Sequence, residues 1–181
     1  MNQATSNPIV RRALDVAQLD ERTYLEIAHD PNATKEAAII VILVAVANGI
    51  GNLGEGSPGL IAGIVSALLS WVVFSAVTWF VATNITGSPT TMISVEALMR
   101  TLGYARGPGL LAIFGSIWLV GWIFALVAGI WVLITSIFAI RTTLRLTWLR
   151  TLATALLAVI AVGILNLFVG LIFGIGMAVA F

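Results

Sequence analysis

Few side chains in this sequence could do chemistry, and they fall in a handful of places. His29 is the lone histidine. As an axial ligand for haem or chlorophyll it would have to stand at membrane depth, and it lies just ahead of the first long apolar run. Asn48, Asn52 and Asn166 are amides inside apolar runs, able to line a small polar path or to hydrogen-bond between helices. Arg100, Tyr104 and Arg106 flank a Gly-Pro-Gly sequence. At headgroup level a phenol and two guanidiniums could contact lipid phosphate or a partner. Glu55 has no acid or base near it in sequence. There is no H-E-x-x-H, no G-x-S-x-G and no P-loop. The chain also lacks cysteine, which removes disulfides, thiolate metal sites and thiol catalysis. An enzyme needs clustered nucleophile, acid and base. The expectation is therefore a non-enzyme with no catalytic residue, no metal site and no cofactor.

The elements that must hold these residues are membrane spans. Of 181 residues, 60% are hydrophobic and only 9% charged, against roughly a quarter charged in soluble domains. A net charge of +1 leaves no basic surface for nucleic acid. All nine basic residues fall in three stretches: Arg11, Arg12, Arg22 and Lys35; Arg100 and Arg106; Arg141, Arg145 and Arg150. Basic residues beside spans stay on the cytoplasmic side. The pattern predicts an all-α bundle of five spans in the cell membrane, N-terminus cytoplasmic and C-terminus outside. The expected spans are 37–53, 59–82, 105–119, 122–140 and 152–177. The uncharged run Gly109–Ile140 would be about 48 Å long as one helix, against a hydrocarbon core of about 30 Å. A hairpin turning at Leu119–Gly121, flanked by Trp118 and Trp122, resolves this. No Lys, Arg, Asp or Glu is read as lying within a span, which argues against a proton-coupled pump.

Residues 1–36 read as a cytoplasmic, amphipathic segment, and 37–181 as the transmembrane domain. The first 36 residues are rich in charge and hold no apolar core segment, so they are no cleaved signal peptide. Asn7-Pro8 is a helix start. Asp20–His29 is a second short helix with Tyr24, Leu25, Ile27 and Ala28 as its stripe, ended by Asp30-Pro31. Met92–Leu102 is the other amphipathic piece, expected on the inner membrane surface with Glu96 and Arg100 as an exposed i,i+4 pair. Gly103, Gly107 and Gly109 with Pro108 would turn it into the membrane as a structural elbow.

Small residues recur at helical spacing: Gly59 and Gly63 in span two, and Gly163, Asn166, Gly170 and Gly174 in span five. Ala125 and Gly129 form a milder version. Such faces let helices approach closely. Packing among the spans of this chain is the first expectation for them, and docking to another membrane protein the second.

Two short stretches resemble the Yip family of multispanning membrane proteins, named for interaction with Ypt/Rab GTPases. One is Arg100-Thr101-Leu102-Gly103-Tyr104-Ala105 followed by Gly107-Pro108-Gly109-Leu110-Leu111; the other is Glu26-Ile27-Ala28-His29-Asp30-Pro31-Asn32-Ala33-Thr34. The resemblance covers most of the chain from about residue 20 and implies several spans with a cytoplasmic N-terminus. The N-terminal region is much shorter than in eukaryotic members and resembles the compact bacterial form, so GTPase binding is not carried over. The functional expectation is a non-catalytic interaction or scaffold protein, an accessory subunit or organiser of a membrane complex. Its partners would be the lipid bilayer and other integral membrane proteins or copies of itself. The alternative is a channel or facilitator for a small solute, passing Asn48, Asn52 and Asn166.

Overall fold

A computed structural model describes residues 8–51, 60–87, 93–117 and 119–179. The expected all-α fold is what it shows. The elements are α1 (Pro8–Ala17), α2 (Glu21–His29), α3 (Ala33–Gly51), α4 (Leu60–Asn84), α5 (Val95–Ala105), a 3-10 segment (Gly107–Ser116), α6 (Gly121–Leu144) and α7 (Trp148–Val179). Among the described residues four helices are long and apolar enough to cross a membrane: Ala33–Ile50, Ile61–Asn84, Gly121–Leu144 and Trp148–Phe168. This is a multi-pass membrane protein.

Local signals set most boundaries. Pro8 opens α1, where its missing N–H costs nothing; Asn7 lies outside the described residues. Asp20 caps α2, accepting from Arg22 N at 3.3 Å and Thr23 Oγ1 at 2.8 Å. Asp30 ends it, and α3 follows within three residues. Ser94 caps α5, accepting from Ala97 N at 3.3 Å. α6 stops at Arg145, held left-handed at φ 50°.

The expected span at 105–119 takes another form. α5 ends at Ala105, and the chain continues as ten residues of 3-10 helix. At a rise of about 2 Å these reach roughly 20 Å, short of a full crossing. The break follows from Pro108, which has no N–H to offer the turn before it. Thr135 Oγ1 on α6 donates instead to Ala105 O, at 2.6 Å. The 3-10 segment lies between α3 and α6. A Cβ on Gly109 would stand 2.8 Å from Val44 and 3.5 Å from Val132, so the close approach requires glycine there. The hairpin turn falls where expected: Gly121 N–H donates to Ile117 O at 2.7 Å, and a Cβ on Gly121 would collide with Gly115 O at 2.0 Å. Trp118 lies outside the described residues, and Trp122 is exposed. Full-length apolar helices thus number four among the described residues, and α5 and the 3-10 segment are too short to be counted with them.

The core lies where α1, α2 and α5 meet the first half of α3, the middle of α4 and the second half of α6. Tyr24, Ile27, Val41, Leu98, Tyr104 and Ile140 are its largest members. α5 packs among other helices of the chain: Leu98, Thr101, Leu102, Gly103, Tyr104 and Ala105 are buried against α2, α3, α4 and α6, while Glu96 stays exposed.

Candidate functional site

Charge is unevenly spread: more than half of the chain's charged residues precede residue 37. The structure gathers several of them around Arg12 of α1. Its guanidinium lies 2.7 Å from Glu26 Oε1, 2.9 Å from Asp30 Oδ2 and 2.9 Å from Glu36 Oε2. These carboxylates come from α2, its C-cap and the first turn of α3, so one cation ties three elements together. Tyr104 of α5 donates a short hydrogen bond to the same Glu36 oxygen.

Arg100 completes the cluster. Its Nε donates to Thr34 Oγ1 at 2.9 Å and its Nη1 to Ala28 O at 2.7 Å. This replaces the expected exposed pairing with Glu96, because α2 and α3 present acceptors that solvent would otherwise supply. Gly103 lies on the same side: a Cβ there would stand 2.6 Å from Ala37 Cβ and 3.2 Å from the Trp71 ring. The two stretches quoted for the family resemblance therefore touch each other. Thr34 and the Ala28 carbonyl are the acceptors and Arg100 the donor, while Tyr104 and Gly103 reach just past residues 26–34 to Glu36 and Ala37.

The electrostatics follow from this geometry. Burial, the largest single influence on Arg12, works to lower its pKa, but hydrogen bonds to Glu26, Asp30 and Glu36 together hold it above the ordinary arginine value. Asp30 is held below the usual carboxylate range, first by the Asn32 N–H and then by Arg12. Tyr24 is fully buried, with its hydroxyl 3.1 Å from Val16 O and 3.2 Å from Thr135 O, and burial pushes its pKa up. Among the described residues each carboxylate around Arg12 is partnered by it. What the cluster can do is hold helices in register.

The other predicted site residues are placed as follows. Tyr104 is fully buried, with its hydroxyl on Glu36. Arg106 is half-buried at the α5 break and lines a cavity with Val44, Asn48, Trp71 and Val132. It stands beside the middles of α3, α4 and α6. Asn48 shares this cavity, whereas Asn166 lines a separate groove between α4 and α7 with Ser66 and Ser70. Asn52 lies outside the described residues, and the two described amides do not share a path. Gly63, Gly129 and Gly163 meet open space within 4 Å where a Cβ would stand, so no described residue packs on them there. Gly59 lies outside the described residues, as do the surroundings of Gly170 and Gly174. His29 Nδ1 is 2.7 Å from Leu25 O.

Sequence reasoning missed Arg12, Thr34 and Glu36, whose signal was the density of opposite charges ahead of the first span. It also missed the indole bonds of Trp71 to Met99 O at 2.9 Å, Trp79 to Ile93 O at 2.7 Å and Trp131 to Ala17 O at 3.0 Å. These fasten α5, the strand of chain before it and α1 to the long helices, and no local pattern announces them.

The sequence model of the Yip1 domain matches residues 21–171. No curated protein and no solved structure matches the chain. The matched region contains both stretches that meet at Arg100 and leaves α1, with Arg12, outside.

Proposed function

This chain belongs to the Yip1 family, and from that premise we propose that it is a non-catalytic interaction protein of the cell membrane. It acts as an accessory subunit or organiser that packs laterally against another integral membrane protein. The observation that carries this reading is the groove between α4 and α7, about 1220 Å³ in volume. Ile61, Val65 and Leu69 give it apolar walls, and Ser66, Ser70 and Asn166 put polar groups on them. Gly63 and Gly163 on the same two helices have open space where a side chain would be. Small residues let backbones approach, and hydroxyls and amides facing lipid gain by hydrogen-bonding across to a partner helix. A transmembrane helix of another protein is the occupant that fits.

The test is copurification from native membranes in mild detergent, with Gly163→Leu and Ser66→Leu as blocking variants. Loss of the copurifying protein with unchanged melting supports the reading. Wild type isolated alone, or variants that retain the partner in full, would sink it. We place the N-terminus in the cytoplasm and the C-terminus outside, which keeps the basic residues of the N-terminal segment and of 141–150 on the inner side. The chain lacks cysteine, so single thiols report orientation. Ala180→Cys should react with a membrane-impermeant reagent added from outside, and Thr147→Cys should not. Outside labelling at position 147 would reverse the assignment.

A further inference from the structure

At the α5 break one cation, Arg106, has no counterpart among the described residues. The ion pairs among the described residues all belong to Arg12, and no described hydrogen bond reaches the Arg106 guanidinium. That side chain lines a cavity of about 450 Å³. Val44, Trp71, Phe74 and Leu133 make its walls apolar, and Asn48 and Ser136 are its neutral polar members. No carboxylate lines it among the described residues, while Glu26, Asp30 and Glu36 are already held by Arg12. The walls come from near the middles of α3, α4 and α6, each long and apolar enough to cross a membrane. An unpaired cation at such a position is costly and by default marks a binding site. A guanidinium presents a planar fork of donors that matches carboxylate and phosphate oxygens.

We propose that this cavity binds an anionic amphiphile, its oxyanion paired with Arg106 and its hydrocarbon laid against Val44, Trp71, Phe74 and Leu133. Charge complementarity specifies the head, and the apolar walls specify the tail. An anionic phospholipid of the bilayer and a free fatty acid share this chemistry. The cavity is separate from the α4–α7 groove, so the inference stands independently of the lateral-partner reading.

The test uses the full chain, stripped of lipid in a nonionic detergent and titrated with phosphatidylglycerol, palmitate or phosphatidylcholine. Native mass spectrometry counts bound molecules. Wild type should take up one anion-bearing molecule per chain, at least tenfold more tightly than phosphatidylcholine. Arg106→Gln should lose about tenfold in that affinity, and Arg106→Lys should retain part of it. Preference for phosphatidylglycerol assigns the bilayer source, and preference for palmitate the free acid. Equal binding of phosphatidylcholine, or undiminished anion binding by Arg106→Gln, overturns the proposal. Should Arg106→Gln fail to fold, Ser136→Leu fills the cavity while keeping the charge. It should lower anion binding, and unchanged binding in that variant likewise overturns the site.

Discussion

The inner core and the α4–α7 side of this protein treat helix association in opposite ways. Around Arg12 and Arg100, contacts close on themselves: carboxylates, a phenol, a hydroxyl and a backbone carbonyl are each taken up by another element of the same chain. On α4 and α7, Gly63 and Gly163 meet open space, and Ser66, Ser70 and Asn166 line a groove that no other described element fills. The two regions use similar small residues to different ends. Gly103 is small because Ala37 and Trp71 occupy the room a side chain would need. Gly63 and Gly163 are small with nothing against them. Spacing alone does not distinguish a glycine that is packed from one that is available.

The contrast is most exposed to failure at the glycines. Gly103→Leu should destabilise the protein by about 3 kcal/mol or more, since its first added carbon already overlaps Ala37. Gly63→Leu should leave melting in detergent nearly unchanged. Equal losses in the two variants would erase the distinction between the regions.

Next in size is Arg12→Gln, which leaves three carboxylates facing one another. A fully buried pair loses 3–5 kcal/mol on such a change, and this half-open one should lose about 2 kcal/mol. The same cluster sets an acid response. Asp30 titrates below its ordinary 3.8 in the folded chain. Its contribution is therefore present above that value and is lost as pH falls through the lower folded value. Wild type should lose stability on acidification below about pH 4, and Arg12→Gln should lose less, retaining only the part due to the Asn32 N–H. Parallel acid curves for the two proteins would show that Arg12 is not what binds the carboxylates.

Arg100→Gln comes third. Losing two hydrogen bonds from a charged donor, to Thr34 and to the Ala28 carbonyl, should cost about 1–2 kcal/mol. An exposed pair with Glu96 would cost only a few tenths of a kcal/mol, so unfolding of this one variant separates the two placements. The smallest effect should be a gain. Arg145 is exposed and left-handed at φ 50°, and Arg145→Gly should stabilise by up to about 1 kcal/mol by relieving that conformation. A loss there would mean that the Arg145 side chain carries more than the backbone strain costs.

The parts of this fold that were legible in the sequence are those written in neighbouring residues. Asp20 before α2, Asp30-Pro31 after it and the alternation of apolar runs with basic loops gave the helices and their approximate ends. The turn at Leu119–Gly121 was legible because no bilayer accommodates the uncharged run as one straight helix. The bonds from Arg100 to Thr34 and Ala28 cross 66 and 72 positions, and an i,i+4 partner at Glu96 offered a nearer answer. Amphipathicity identified α5 as a helix but could not say whether its polar side faced water or other polar groups. The placement of Arg106 was hidden for a related reason. Its charge reads as cytoplasmic, while the helix break beside Pro108 draws it toward the middle of the bundle.

The α5 break also bears on how the chain is made. Residues 95–116 leave the ribosome as a short helix carrying Glu96 and Arg100, then Arg106, then a 3-10 stretch too short to cross alone. The last turn of α5 rests on a hydroxyl donated by Thr135, which has not yet been synthesised when Ala105 emerges. This turn therefore reaches its final hydrogen bonding only after α6 has been synthesised. Translation order thus sets when this corner of the fold can close.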